Sequence, residues 1–322
     1  MIAVVGATGV LGTQLLVALA DEEHPVEELT LFASERSHGK EVEVAGETLE
    51  IEPVDFRGVK LAFIATPLAA AKPLIEEARK VGTRVVDFSG AFRSDRAIPH
   101  LVPSVSPAPA REAPAVGIAG AAGSALAHVL SAIHRWNPVA WADVTGLYGS
   151  AHRGAAGIEA LEKETAALLS GRGVDTEELA PHQLAFNVVP HVGAFAKGHP
   201  QSSEELAAAL DVARAFDKAP VVRMTALHVP VFHGLSLALS MQLTNPADAE
   251  AVRAALKAND KVKVVDAPDE SIYPTTQLTA ADDAVLVGRV RTAGNHVWLV
   301  AAVDNAAFVA HGAVRLALEL LY

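Results

Sequence analysis

The sequence predicts an α/β protein, with a doubly wound parallel sheet first and an α+β domain after it. In the first third of the chain, short apolar runs alternate with helical stretches such as 73–80, which is typical of βαβ units. After about residue 124, apolar residues recur at helical spacing or alternate with polar ones, as in helices packed on a half-exposed sheet. The strands predicted for the first part are Ile2–Val5, Leu29–Phe32, Leu61–Ala65, Val85–Phe88 and Ala115–Ile118.

The first predicted strand runs into a glycine turn, and a helix follows at once. Gly6, Gly9 and Gly12 have the spacing G-x-x-G-x-x-G, and the apolar spacing becomes helical from Val10. A turn without bulky side chains leaves the first N–H groups of the helix open, and together with the helix dipole they attract a phosphate. The segment therefore predicts a Rossmann-like dinucleotide-binding domain, with Gly6, Thr8, Gly9 and Val10 at the cofactor. The alternative is a tight strand-to-helix turn that binds nothing.

Two helices of the second part have recognisable starts. Ser202 followed by Glu205 forms a capping box, which predicts a helix over 203–216. Asn245 and Pro246 predict the cap and the first residue of another helix.

One strand of the second part and the division of the chain also follow from the pattern. Leu235–Leu243 alternates large apolar with small or polar residues, which predicts a half-buried antiparallel strand. We expect the dinucleotide-binding domain to cover 1–123, with the C-terminal helix 306–322 packing back on it. The α+β domain is expected over 124–305.

Composition excludes several classes of function. The formal net charge of −12 argues against nucleic-acid and anionic-membrane partners. Two nearly uncharged stretches, 1–20 and 113–133, are not expected to span a membrane, and the first lacks the basic start of a signal peptide. We expect a soluble, cytoplasmic protein. The chain has no cysteine, which excludes disulfides, thiolate metal sites and thiol nucleophiles.

Several segments along the chain form a recognisable series. In this order and over the whole length, they resemble the aspartate-semialdehyde dehydrogenase family. The segments are GATGVLG (6–12), SERSHGK (34–40), DFSGAFR (87–93), VPSVSP (102–107), FNVVPHVGAF (186–195), HVPVFHG (228–234) and VWLVAAVDN (297–305).

The resemblance implies an activity and a cofactor. In the family, a cysteine thiolate attacks an acyl phosphate, phosphate leaves, and NADPH delivers hydride to the thioester. Ser34, Arg36 and Ser37 match the segment that holds the 2′-phosphate of NADP, and an arginine fork with two hydroxyls suits a dianion. Glu35 beside them weakens the preference for NADP, so NAD is the alternative, as is a polar loop without a ligand.

The resemblance also implies an anion site and an oligomeric state. Arg93 matches the arginine that the family uses for phosphate, and its alternative role is a surface pair with Asp95. The second domain is implied to bind substrate and to form a homodimer through its sheet.

The chain departs from the family pattern at the positions that carry the chemistry. The position of the nucleophilic cysteine is Gly123, and the position of a family glutamine is Gly149. The substrate-carboxylate arginine is replaced by His228, and the acid–base histidine by Leu235. Losing a nucleophile or its base alone costs orders of magnitude in turnover. We therefore predict no catalytic residues for the family reaction.

Three groups of residues are candidates to replace the missing functions. Ser124 lies next to Gly123 and is predicted to cap the following helix rather than to act as a nucleophile, because no base is expected beside it. His152 and Arg153 are candidates for binding a small anionic ligand, and solvated loop residues are the alternative. Three further histidines are not spaced as ligands on one element, so we expect no metal there; they are His182, His191 and His199.

Three functional hypotheses follow. The chain is a homologue that keeps nucleotide binding and dimerisation without the family activity, with a partnership with an active paralogue left open. Alternatively, it is an active NAD(P)-dependent oxidoreductase that reduces another small carbonyl without a thiol, for which Tyr148 is the candidate proton donor. The third hypothesis is a non-enzymatic regulatory or interaction protein.

Overall fold

The computed structural model describes residues 1–174, 182–279 and 283–321. The chain forms two compact units. The first unit combines Met1–Gly120 with Val309–Tyr322, and the second covers Ala121–Phe308.

The first unit is built on an eight-stranded sheet in the order β3-β4-β2-β1-β5-β6-β8-β7. All neighbouring strands pair in parallel except β3 and β4, so the predicted parallel sheet is confirmed. The antiparallel pair, which the sequence analysis missed, turns at Ala45 and Gly46, both in left-handed conformation. The strands are β1 (Ile2–Val5), β2 (Leu29–Phe32), β3 (Glu41–Val44), β4 (Glu47–Glu52), β5 (Leu61–Ile64), β6 (Arg84–Asp87), β7 (His100–Leu101) and β8 (Ala115–Ile118).

Helices cover the strands of this unit. The fully buried residues of β1 and β5 show that the centre of the sheet is covered on both faces. In the C-terminal helix, Arg315 donates to Glu22 (2.6 Å) and His311 lies 3.0 Å from Asp21, which joins this helix to the end of the first helix. The helices of the unit are α1 (Val10–Asp21), α2 (Leu68–Lys80) and α7 (Ala307–Leu321).

The second unit is built on a six-stranded sheet in the order β10-β9-β11-β14-β13-β12. The strand β11 has the predicted bounds and is antiparallel to both of its neighbours, which confirms the prediction. Its leucines are buried, whereas Ala238 at its centre is exposed. The strands are β9 (Val139–Tyr148), β10 (Val221–His228), β11 (Leu235–Leu243), β12 (Val262–Val264), β13 (Val285–Ala293) and β14 (His296–Val303).

The helices of the second unit are α3 (Ala121–Trp136), α4 (Ala155–Leu169), α5 (Ser203–Ala215) and α6 (Ala249–Lys257). The capping box is confirmed, because Ser202 accepts from the N–H of Glu205 and the Glu205 carboxylate accepts from the N–H of Ser202. Two predicted caps are wrong. Helix α6 is capped by Asp248 rather than Asn245, whose N–H and amide instead pair with an asparagine at the end of α3. Helix α3 begins at Ala121, so Ser124 lies inside it.

In the described ranges, no helix is both long enough and apolar enough to cross a membrane.

Candidate functional site

The glycine turn of the first unit is closed by backbone contacts that tolerate no side chain at two of its glycines. Gly6 has φ +88°, and its N–H donates to the carbonyl of Phe32 (2.7 Å). A Cβ added to Gly6 would lie 3.0 Å from the carbonyl carbon of Ala65, and one at Gly12 would lie 2.8 Å from the Cα of Ala7. The turn therefore needs glycine at both positions to bring the strand, the turn and the helix together.

The start of α1 is suited to an anion. Gly9 caps the helix without a side chain, and no acidic residue lies in the first turn. The carbonyl of Gly9 accepts from the N–H and from the hydroxyl of Thr13, at 2.9 and 3.0 Å. Thr8 is exposed at the tip of the turn, and Val10 is half-buried. The positive end of the helix dipole is thus not neutralised by the helix's own side chains.

The predicted 2′-phosphate segment follows β2 directly. Glu35–Ser37 forms a single 3₁₀ turn, in which Arg36 is exposed and Ser37 is buried. Ser34, before the turn, is exposed. The arginine and one of the two serines are therefore free to meet a ligand, whereas Ser37 is buried in the turn.

Arg93 follows β6 in the same unit. The carboxylate of Asp87 accepts from the N–H groups of Ser89 (2.9 Å) and Ala91 (3.0 Å), and it thereby shapes the turn that leads to Arg93. A Cβ on Gly90 would lie 3.0 Å from the guanidinium carbon of Arg93, so this side chain folds back over Gly90, which has φ +81°.

In the second unit, the position assigned by resemblance to the cysteine is filled by a neighbouring helix. Gly123 lies in the first turn of α3, and Asp211 of α5 packs directly against its Cα. A Cβ on Gly123 would lie 2.6 Å from Oδ2 and 2.9 Å from Cγ of Asp211, which is closer than real Cβ atoms approach. Asp211 is 1% exposed. Any side chain at position 123 therefore collides with Asp211.

The position assigned to the family glutamine is similarly filled. A Cβ on Gly149 would lie 3.0 Å from the carbonyl oxygen of Gly234 and 3.1 Å from that of Val231. The loop is held there by backbone hydrogen bonds, since the N–H of Gly149 donates to Gly234 and that of Ser150 to Val231. The neighbouring atoms are backbone, so a side chain at position 149 requires the loop itself to move.

The position assigned to the substrate arginine carries a buried, uncharged histidine. His228 ends β10 with no exposed surface, and its Nε2 lies 3.1 Å from the hydroxyl of Ser150, which is also fully buried. Burial lowers the pKa of His228 to about 4, helped by the charges of Arg153 and His152. The sequence analysis missed this hydrogen bond, because the two residues are far apart in the chain.

The position assigned to the acid–base histidine lies in the core. Leu235 is 1% exposed and begins β11, directly opposite Tyr148 of β9 and Val303 of β14. Leu237, two residues along on the same face, is fully buried. This face of the sheet is therefore packed with apolar side chains.

Tyr148, beside His228 in the same row, is a polar residue on this face. It is 2% exposed, and its ring meets the ring of His152 edge-on with centroids 4.9 Å apart. Burial, together with the charges of Glu204, Asp211 and Glu205, raises the pKa of Tyr148 well above its ordinary value. The phenol therefore keeps its proton and is available as a hydrogen-bond donor.

The remaining predicted positions serve local structure. Ser124 is 3% exposed within α3. His191 stacks on Phe195 with centroids 4.5 Å apart, and His199 accepts from a backbone N–H two residues on, at 3.4 Å. Within the described ranges, no three His, Asp or Glu side chains are grouped as metal ligands. The sequence analysis did not identify Asp211 as a residue of this site. The signal that could have found it is an acidic residue next to Val212 on the buried side of α5.

Comparison with protein families assigns both units. Residues 1–113 match the semialdehyde dehydrogenase NAD binding domain, and residues 130–307 match the semialdehyde dehydrogenase dimerisation domain. The chain therefore carries the NAD-binding domain and the dimerisation domain of this group of oxidoreductases.

Individual relatives extend over nearly the whole chain. The aspartate-semialdehyde dehydrogenase of Aquifex aeolicus is 30% identical over 317 residues, covering 94% of this chain and 92% of the relative. A USG-1 protein homolog of Azotobacter vinelandii is 34% identical, covering 90% of this chain and 87% of the relative.

Solved structures agree with the sequence comparison. Aspartate semialdehyde dehydrogenase II from Vibrio cholerae, in a complex with ASA, superposes with a TM-score of 0.90 at 30% identity and covers 99% of this chain and 97% of that one. A probable aspartate-semialdehyde dehydrogenase from Pseudomonas aeruginosa gives a TM-score of 0.89 at 30% identity, covering 99% and 98%. With both domains matched in order and full-length relatives at this identity, the chain belongs to the aspartate-semialdehyde dehydrogenase family.

Proposed function

We propose that this family member binds a nicotinamide dinucleotide and dimerises, but does not catalyse the reductive dephosphorylation of an acyl phosphate through a covalent intermediate. Residues 1–123 supply the dinucleotide site and residues 124–305 the dimer interface. The observation that carries the proposal is the packing of Asp211 against Gly123, because it leaves no space for a nucleophile at the family's cysteine position. The whole chain contains no thiol to act instead.

The other three positions support the same conclusion. At position 149, the backbone of neighbouring residues occupies the space into which a side chain would project. Position 228 has a histidine that is hydrogen-bonded to a serine, and position 235 has a leucine in the core. A thioester mechanism needs a thiolate, a base and a group that holds the substrate. Each site is filled by well-packed neighbours, so restoring one residue does not restore a pocket.

The cofactor that we propose is NADP, with NAD as the alternative. The glycine turn and the start of α1, which has no side-chain cap, are suited to the pyrophosphate, and the exposed Arg36 near Ser34 is suited to a 2′-phosphate. Glu35, also exposed, repels a dianion and tempers this preference. Arg93 is the proposed contact for a further small anion.

The proposed dimer is a homodimer formed through the sheet of the second unit. One face of this sheet carries buried side chains, whereas the other carries Ala238 and Thr145, which are exposed on neighbouring strands. Trp141 and Trp298 flank them, and Arg223 lies over the ring of Trp141 at 5.0 Å. Tryptophan and arginine on a broad face are typical of protein interfaces.

Calorimetry and a turnover assay test the proposal together. NADPH and NADH are titrated separately into the protein, and aspartate semialdehyde is then supplied with phosphate and NADP while formation of NADPH is followed. The Aquifex aeolicus relative serves as the positive control for turnover. We expect NADPH binding without turnover. Turnover above background would refute the proposal, and failure to bind either nucleotide would refute its cofactor part.

A further inference from the structure

A cavity of about 540 Å³ lies at the edge of the first unit's sheet where β6 and β8 begin. The turn before β6, the residue before β8 and the last turn of α2 line it. Its volume is within the range of pockets that hold small molecules. The charged residues of the lining are Glu76, Arg79, Lys80, Arg84 and Glu112.

This cavity is separate from the proposed dinucleotide site. The strands β1, β5, β6 and β8 are successive parallel neighbours, so their amino ends share one edge of the sheet and their carboxyl ends share the other. The glycine turn follows the carboxyl end of β1, whereas Gly82 and Pro114 lie just before the amino ends of β6 and β8. A strand of four residues, such as β6, spans roughly 13 Å. The cavity is therefore a second site, on the opposite edge of the sheet.

Two cations of the lining are not used by the protein itself. Within the described ranges, the side chains of Arg79 and Lys80 form no ion pair or hydrogen bond, although Glu76 lies one helical turn before them on α2. The end of α2 is closed by its own backbone instead, since the N–H of Thr83 donates to the carbonyl of Ala78 at 3.0 Å. Both cations are thus available to a ligand.

The third cation, Arg84, is held in position at the start of β6. It is half-buried, and one of its terminal nitrogens donates to the carbonyl of Leu320, in the last turn of α7, at 2.6 Å. A guanidinium carries five N–H donors, and this hydrogen bond uses one of them. Because the side chain is already fixed, it loses little conformational freedom when it binds a ligand.

The lining carries charges of both signs. Besides the three cations it has the carboxylates of Glu76 and Glu112, which are also without an ion-pair partner in the part of the chain that the structure describes. These carboxylates repel a compact dianion such as phosphate. No aromatic side chain is among the described lining residues, so a nucleotide base finds no surface to stack on. The pattern instead fits a ligand with two negative groups and one positive group.

We propose that this cavity binds an amino dicarboxylate, a small molecule with two carboxylates and one ammonium group. Arg79 and Arg84 hold the carboxylates, because a guanidinium pairs with a carboxylate through two parallel hydrogen bonds. Glu112 accepts from the ammonium group, which the negative end of the α2 dipole also favours. One net negative charge on the ligand balances the excess of three cations over two carboxylates in the lining. Such a site does not depend on the proposed function, since none of its residues lies at the glycine turn or in the second unit.

The first test compares ligands that differ by one charged group. L-glutamate is the probe, and its binding is followed by calorimetry and by urea unfolding at constant ionic strength. Glutarate lacks the ammonium group, γ-aminobutyrate lacks one carboxylate, and inorganic phosphate is a simple anion. We expect saturable stabilisation by L-glutamate. Each comparison compound should bind at least about tenfold more weakly, which is the effect of one lost charge-assisted contact.

The second test locates the site with two exposed residues of the lining. Arg79→Gln removes a guanidinium, so the affinities for L-glutamate and for glutarate should both fall about tenfold. Glu112→Gln removes the acceptor of the ammonium group, so it should weaken L-glutamate about tenfold without weakening glutarate. Arg96→Gln and Glu77→Gln are the matched controls, at exposed residues of the first unit that do not line the cavity.

Three results would overturn the proposed site. The first is the absence of a saturable effect of L-glutamate on the unaltered protein. The second is phosphate binding as tight as that of L-glutamate, which would indicate a simple anion site. The third is an unchanged affinity for L-glutamate in both Arg79→Gln and Glu112→Gln, which would place the binding elsewhere, for example at Arg93.

Discussion

The fit of Asp211 against Gly123 can be tested by restoring the family's cysteine. Gly123→Cys places a Cβ 2.6 Å from Oδ2 and 2.9 Å from Cγ of Asp211, and distances under 3.0 Å force a side chain or a helix to move. Overpacking of this kind lowers the free energy of unfolding by about 1–3 kcal/mol. The better helix propensity of cysteine offsets only a few tenths of a kcal/mol, roughly. We therefore expect a destabilised variant.

The measurement is urea unfolding of four proteins in a double-mutant cycle. Asp211→Gly removes the colliding carboxylate and also the Cβ, which is the closest of the three Asp211 atoms. If the collision causes the loss, Gly123→Cys should cost at least about 1 kcal/mol less in the Asp211→Gly background. Gly173→Cys is the matched control, since a Cβ there has no neighbour within 4 Å.

The same variant tests the proposed function. Gly123→Cys is expected to show no dehydrogenase turnover, because Leu235 gives no base and His228 gives no guanidinium. The reasoning is refuted if Gly123→Cys is as stable as Gly173→Cys, or if it turns over aspartate semialdehyde.

Three further predictions concern charge, cofactor and assembly. The pKa of His228 is about 4 in the folded state against 6.5 in the unfolded chain, so the unfolded state binds more protons between these values. Relative to His228→Gln, in a buffer free of carboxylates, the free energy of unfolding should therefore fall by about 2–3 kcal/mol between pH 7.5 and pH 4.5. A difference between the two proteins that stays constant with pH would contradict this. Arg36→Ala should weaken NADPH binding about 10–100-fold and leave NADH binding unchanged by calorimetry, whereas equal losses would mean that Arg36 does not contact the 2′-phosphate. Ala238→Arg, in the middle of the open sheet face, should give a monomer by light scattering. The control Ala254→Arg, at an exposed position of α6, should stay dimeric. If both variants are dimeric, the interface lies elsewhere.

Local pattern was sufficient for much of the fold. The alternation in Leu235–Leu243 predicted both the bounds of a strand and its antiparallel pairing, because burial on one face demands a period of two. The capping box at Ser202 and Glu205 was also readable, since both of its hydrogen bonds join residues three apart. The cap of α6 could not be read from local pattern. Asn245 forms hydrogen bonds with a residue far away in the sequence, and Asp248 caps the helix instead.

At the candidate site, the sequence by itself determined which residue types are present: no thiol anywhere, glycine at position 123 and leucine at position 235. Only the tertiary structure decided what occupies the resulting space. Asp211 fills the place beside Gly123, and Ser150 bonds to His228, across 88 and 78 residues of chain respectively. Such pairs are selected by packing between elements rather than by local periodicity, and dense packing leaves one arrangement in which both volumes and hydrogen bonds are satisfied.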